Sequence, residues 1–525
     1  MRGPKIALSA MAIVAAVLVI ASHPGKTLAA RQPQMSAAAK PDASGPPDYV
    51  EWPLPAADQA YGAIDGKHLH EYVEEQVAIS HRYRDQGHQF WGRIIGTSGD
   101  AESAQWLLDK FNKIGMTDTR IQPIDLGPQW MPQSWDVTAT GGGKTLQITS
   151  AQPAYATSGT QGEGLDLEAV YVEFGTEADF AGRDVKGKAV FISRYQAQNR
   201  GVLRRTGPEP GAMKRAQEKG AAAIFDVNEM PGNLKFQSYP ANTNVPTFSV
   251  GTADGHAIRD MIDQAGTGPA PHVHVRIDVK MEPNLKTAFV WGTLPGTTDE
   301  TIYIIAHRDG WFDAAGDNAG GVASMLGLAE YFAKVPKSQR KRTIVFIGWD
   351  GHHNSGPNGS AGTEWLYAHR SEFFGKTALM IDDEHPSDVD TYRSAGGTTG
   401  LTNTYVPLEW YAGGPSRPEL GKIAYSAFRE FGVTTWDQPS PAPPAGDLGR
   451  FYRLVPGLDS QSNDFFFFHT DANTPDTVPW TGLEAVTRAY AKIIDQVNKL
   501  DLKDLQRPEE ADPRAGRGSG SGGNQ

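Results

Sequence analysis

Residues 301–318 read TIYIIAHRDGWFDAAGDN: an apolar run from Thr301 to Ile305, then His307 and Asp309 in a polar turn, then Asp317-Asn318 at the mouth of a helix. The helix is expected over Asn318 to Val335, because Val322, Met325, Leu326, Ala329, Phe332 and Ala333 fall on one face at helical spacing. The same alternation continues outward. A strand is predicted at Arg342 to Gly348, a helix near Thr363 to His369 and a strand at Thr377 to Ile381, which together indicate βαβ units around a mainly parallel sheet flanked by helices. Ligand sites in such sheets lie outside the carboxyl ends of the strands. His307, Asp350, His352, His353 and Asp383 each follow a predicted strand, so one edge is expected to gather them. A last helix starts at the capping pattern Thr481-Gly-Leu-Glu484 and runs to about Leu500.

The chain has 525 residues, enough for roughly two to four folding units, and no cysteine. Disulfides and thiolate ligands are therefore excluded, so any metal must sit on His, Asp or Glu. Lys plus Arg total 49 against 61 acidic residues, a net charge of −12, which argues against a nucleic-acid partner. Residues 1–30 read as a secretory signal peptide: Arg2 and Lys5 precede an apolar run from Ile6 to Ala21, and Leu28-Ala29-Ala30 follow. The run is short for a membrane span, and no span is expected after cleavage. A periplasmic or secreted protein is implied. Residues 31–60 read as an irregular leader and 506–525 as a disordered tail. Between them, 61–150 carries a helix from Ala101 to Ile114 ended by Gly115. Residues 151–285 turn to short strands and glycine, and 286–505 hold the strand–helix alternation.

Imidazole and carboxylate donors converging from several strand ends suit a divalent metal such as zinc, which binds them at about 2.0–2.2 Å. Asp317 also fits a simple helix N-cap. Asp350 and Asp382 read as structural hydrogen-bond acceptors; His385 could supply a missing function from its loop, though a lone histidine after a turn is more often exposed; Phe465 to Phe468 read as a buried strand, with an aromatic substrate pocket as the alternative.

Taken in order, His307-Arg-Asp309, Asp317-Asn318, Arg342-Thr-Ile-Val-Phe-Ile-Gly-Trp-Asp350, Gly359-Ser360 with Thr363-Glu364-Trp365, Asp383 and His469-Thr470 resemble the co-catalytic zinc exopeptidases. That family spans bacterial aminopeptidases, glutamate carboxypeptidases and the non-enzymatic transferrin receptor. Residues 151–285 resemble the protease-associated domain that some members insert, with 61–150 and 286–505 forming the catalytic, metal-binding domain around it. The resemblance implies His307 and Asp383 on one metal, His353 and His469 on a second, Asp317 between them, and Asp309 orienting His307.

The chain departs from the family at three places. His352 and His353 stand where the family has two glutamates, a general base and a ligand. Phe468 stands where it has a tyrosine or histidine donor to the oxyanion, a group whose loss costs on the order of 10²–10³ in rate elsewhere. The loop from Asn354 to Gly362 is about two residues longer than usual, on the same comparison of motif spacing. The expected function is an exported metal-dependent exopeptidase acting on a peptide or small amide, with one or two zinc ions and His352 as the proton carrier. Two alternatives stay open: a non-catalytic scaffold, and single-metal chemistry on Asp317, His353 and His469, a set that also suits iron.

Overall fold

The computed structural model describes residues 51–199, 202–205, 211–349, 352–353, 360–393, 399–405, 408–412, 418–437, 446–462 and 467–505. The expected signal peptide, most of the leader, nearly all of the tail, Asp350 and the 354–359 loop lie outside them.

Strand Thr301–His307 is the middle of an eight-stranded sheet. It pairs in parallel with Thr343–Trp349 on one side and Thr377–Asp383 on the other, and Thr377–Asp383 pairs in parallel with Gly457–Gln461. The four strands end on one edge. Antiparallel strands Lys286–Leu294 and Thr117–Asp125 extend the sheet on one flank, and Leu408–Ala412 followed by Thr435–Asp437 on the other.

Side chains alternate across each strand, and the alternation sorts the core into two layers. Ile302, Ile304, Ala306, Ile344, Phe346, Leu379 and Ile381 pack with helices Gly66–Asp85, Ser98–Ile114, Gly321–Lys334, Pro418–Glu430 and Trp480–Val497. Tyr303, Ile305, Val345, Ile347, Trp349 and Met380 face a second cluster with Leu366, Leu448 and Phe451. Strands buried on both faces read as continuous apolar runs rather than alternating ones, which is why they were conspicuous in the sequence.

Helix Ser98–Ile114 ends at Gly115 with φ 85°, its N–H returning to the carbonyls of Asn112 and Phe111; a left-handed residue at this position favours glycine. Helix Gly321–Lys334 begins three residues later than expected, behind an irregular turn at Ala315–Gly320. A Cβ at Gly321 would lie 2.0 Å from the Asp383 carbonyl oxygen, so glycine lets the helix start press against the end of the neighbouring strand. The helix expected from Thr481 spans Trp480–Val497, with Thr481 already inside it. The capping pair expected there is not formed: Glu484 instead accepts the N–H of Gly66 at 2.9 Å, joining this helix to Gly66–Asp85.

A second, nine-stranded sheet is built from residues between Gln129 and Glu282. It takes in strands Gln129–Gly141 and Lys144–Gln147, before the expected boundary at 151, because Gln129–Gly141 pairs along its length with His272–Glu282. Phe191, Phe225 and Phe248 stack through its parallel centre at 4.6 and 5.7 Å. Its core is continuous with Tyr83, Phe90, Trp311 and Phe312, so the two sheets share packing beside the parallel edge. No helix among the described residues is long and apolar enough to cross a membrane.

Candidate metal centre

His307 ends its strand, His352-His353 follow Thr343–Trp349, Glu384-His385 follow Thr377–Asp383, and Asp317 sits in the turn before helix Gly321–Lys334. His469 lies in a turn beyond Gly457–Gln461, together with Phe467 and Phe468. The buried strand expected at Phe465 to Phe468 is therefore not found at its described residues, which are half-buried in that turn, while Phe465 and Phe466 lie outside the description.

The Asp317 carboxylate is the hub. One oxygen lies 3.2 Å from His307 Nε2 and 2.8 Å from His385 Nε2. The other lies 3.2 Å from His469 Nε2 and 3.5 Å from His353 Nε2, and those two nitrogens are 3.1 Å apart. Glu384 Oε1 closes the first side, 3.7 Å from His307 Nε2 and 3.8 Å from His385 Nε2. All six residues are buried.

Asp309 organises the ring from behind. It accepts the backbone N–H of His353 at 2.6 Å and of His352 at 3.3 Å, and its carboxylate faces Nδ1 of His353 at 3.3 Å and of His307 at 3.6 Å. His307 Nδ1 also lies 3.1 Å from the Asp309 carbonyl. A proton donated there leaves Nε2 as the lone-pair nitrogen facing Asp317. That Nε2 is buried with no hydrogen-bond partner among the described residues. Donors around a tetrahedral ion with bonds of about 2.0–2.2 Å stand roughly 3.4 Å apart, close to the separations here. The residues fit one or two divalent ions.

Asp383 is not part of this ring. Along its strand it shares a face with Leu379 and Ile381, toward the helices, whereas Glu384 continues the opposite face. Among the described residues, the groups of donors close enough to share an ion are His307, His352 and Glu384; His307, Asp317 and His353; and Asp382, Glu384 and Asp459. Asp383, expected as a ligand, lies in none of these groups, whereas Glu384 stands 3.7 Å from His307 Nε2. Burial holds the Asp383 carboxyl well above the usual range, offset only in part by Ser324. Glu384→Gln is expected to weaken metal binding by at least the ~10–100-fold of an outer-sphere loss, while Asp383→Asn leaves it unchanged. Titration of the metal-free variants with Zn²⁺ decides this, and weakened binding in Asp383→Asn with none in Glu384→Gln would restore Asp383.

His352 stands at the rim. Its ring stacks on His307 at 4.4 Å, its Nδ1 is 3.3 Å from Asp447 and its Nε2 3.5 Å from Glu384. Asp382, read as a structural acceptor, takes the N–H of Leu448 at 2.7 Å. His385, expected to be exposed, is buried against Asp317 instead.

The field of the ring is strongly coupled. Burial disfavours charge on Asp317, but His353, His385 and His307 outweigh it and hold the carboxyl well below its usual range. Burial likewise opposes the His307 cation, yet Asp309 and Asp317 hold it well above the usual imidazole range. For His352, Asp447 overcomes burial, His307 opposes and Glu384 adds, raising it to about 9. In metal-free protein the His352 cation thus contributes stability that is complete below about pH 6.5 and is lost as pH rises through about 9. Bound cations compete with such protons. The rise in melting temperature on adding Zn²⁺ is therefore expected to grow between about pH 6 and pH 9, and a flat or falling profile would refute the protonated ring.

Sequence reasoning missed Glu384 and Asp447. Strand parity counted from Leu379 could have found the first. Nothing marks the second, which comes from a distant segment.

A model of the family described as Peptidase family M28 matches residues 290–382. The fold is shared with the zinc aminopeptidase BSAP of Bacillus subtilis, 16% identical over 85% of this chain and 99% of that one, TM-score 0.59. It is shared too with a Peptidase M28 precursor of Shewanella amazonensis, 17% identical over 87% and 98%, TM-score 0.65. An aminopeptidase of Aneurinibacillus sp. strain AM-1 is 19% identical over 84% and 96%, TM-score 0.53. No curated protein matches the chain significantly. The family match and the common fold uphold the resemblance to the co-catalytic zinc exopeptidases.

Proposed function

We propose that this chain is an exported, zinc-dependent exopeptidase that cleaves a peptide or small amide. The observation that carries the reading is the Asp317 carboxylate, which offers one oxygen to His307 and His385 and the other to His353 and His469. In this reading His307, Glu384 and His385 hold one ion with Asp317, and His353 and His469 hold a second. Zinc bound there would polarise a carbonyl and lower the pKa of water toward ~7. His352, its Nδ1 anchored by Asp447, would carry the proton from water to the leaving amine. Trp311 walls the second side, its ring 4.3 Å from His353 and 4.6 Å from His469.

The shared fold with a zinc aminopeptidase of Bacillus subtilis supports zinc over iron. The test combines metal analysis of the purified protein with a panel of aminoacyl p-nitroanilides, dipeptides and N-acyl amino acids. Stoichiometric zinc with hydrolysis of one class is the expected result. Bound zinc without hydrolysis of any class would overturn the enzyme reading in favour of a binding scaffold.

A further inference from the structure

Phe468 stacks on His469 with ring centroids 3.6 Å apart, and a phenyl ring has no hydrogen to donate to an oxyanion. The second sheet brings a phenol to the same histidine. Tyr239 lies on the segment between strands Ala223–Glu229 and Thr247–Gly251. Its ring is 5.0 Å from that of His469, edge to face at 67°, and 6.0 Å from that of Trp311. Both neighbours are buried, yet Tyr239 keeps 48% of its surface open to solvent. A half-open tyrosine packed beside His469 is reachable by a substrate that enters from solvent.

The three residues Lys235, Phe236 and Gln237, shortly before Tyr239, are held from both sheets. The Gln237 N–H donates to the His469 carbonyl at 2.9 Å, Phe236 and Thr470 form an antiparallel bridge, and the Lys235 N–H donates to Asp471 at 3.0 Å. On its own side, buried Gln237 donates to the Pro153 carbonyl at 3.0 Å and accepts from Gln152 at 2.7 Å. Arg194, paired with buried Asp226, lies 5.3 Å over the Phe236 ring. Anchoring of this kind gives a side chain the fixed aim that a catalytic donor needs. A tyrosine hydroxyl, with an ordinary pKa of about 10, keeps its proton at neutral pH and can donate it in a hydrogen bond.

We propose that Tyr239, contributed by the second sheet, is the catalytic donor to the substrate's carbonyl oxygen, the role for which Phe468 has no group. The inference rests on the hydrolase reading above. As the amide carbon becomes tetrahedral its oxygen gains negative charge, and a donor already in place stabilises that charge without reorganisation. No proton is transferred: the O–H bond of Tyr239 stays intact while its hydrogen bond strengthens.

Tyr239→Phe removes the hydroxyl and keeps the ring that packs on Trp311 and His469. In the zinc-loaded full chain, assayed on the best p-nitroanilide of the panel, kcat is expected to fall about 10²-fold with KM nearly unchanged. The double variant Tyr239→Phe/Phe468→Tyr, which returns a phenol beside His469, is expected to recover much of that loss. Calorimetry supplies a readout apart from turnover: an aminoalkyl phosphonate, which mimics the tetrahedral state, should bind the variant more weakly, while the free amino acid binds equally well. Unchanged kcat and phosphonate affinity in Tyr239→Phe, with an active wild type, would overturn the inference and leave the hydrolase reading standing. Reduced zinc content in the variant would also overturn it, by showing a structural role. An inactive, zinc-replete wild type would overturn both.

Discussion

Asp317→Ala is expected to lose bound metal and hydrolysis together. Four imidazole nitrogens, from His307, His385, His353 and His469, lie 2.8–3.5 Å from its two oxygens, and no other carboxylate among the described residues is that close to both pairs. Without it, four basic nitrogens face one another around a buried space with no anion at the centre, and cations bound on either side lose their common counter-charge. The loss in affinity should exceed the ~10–100-fold typical of an outer-sphere partner. Asp317→Asn, which keeps the shape and removes the charge, should fall between wild type and Asp317→Ala. Metal-to-protein ratios after dialysis, with circular dichroism to confirm folding, give the result. Full zinc retention in a folded Asp317→Ala protein would remove Asp317 from the centre.

Arg93→Ala is expected to cost stability rather than to act on the chemistry directly. The Arg93 side chain is fully buried. It donates to the carbonyls of Arg308 at 2.8 Å, Asp313 at 2.9 Å and Ala314 at 3.0 Å, and to Ser80 Oγ at 3.0 Å. These bonds fix the turn that leads from His307 to Asp317. Burial lowers the guanidinium to about 10, with Asp309, Asp317 and Asp313 working against that fall. Deleting it orphans three buried carbonyls and leaves the acids short of a cation, a change of the kind that costs about 3–5 kcal/mol. Arg93→Lys should rescue little, since one ammonium cannot span a fan of acceptors matched to a planar guanidinium. Urea midpoints at constant slope measure the cost, and a change below about 1 kcal/mol would show the turn to be held by other contacts.

The parallel strands were legible because burial on both faces writes them as unbroken apolar runs, and their ends pointed to the right edge. His307 and His353 followed from those strand ends, Asp317 and His469 from the motif resemblance, and the structure brings the polar atoms of all four together. Asp383 misled because three acids in a row leave the choice to strand parity, and parity depends on a register that Asp382-Asp383-Glu384 alone does not reveal. His385 looked exposed because a residue in a left-handed turn gives no periodic signal of burial. The helix start at Trp480 overrode a good local cap at Thr481 because Glu484 gains a partner in Gly66, more than 400 residues earlier in the chain. Tyr239 could not be seen at all, since its place depends on how two sheets meet.

That meeting has a practical side. The carbonyl of His469 takes its hydrogen bond from Gln237, so a backbone group beside the ring of donors is completed by the other sheet. The two sheets are consequently not interchangeable parts: excising 129–282, or replacing it with a unit whose 231–246 segment is shorter, would leave the His469 turn without its brace. Engineering of this scaffold should keep that segment and vary the outer strands instead.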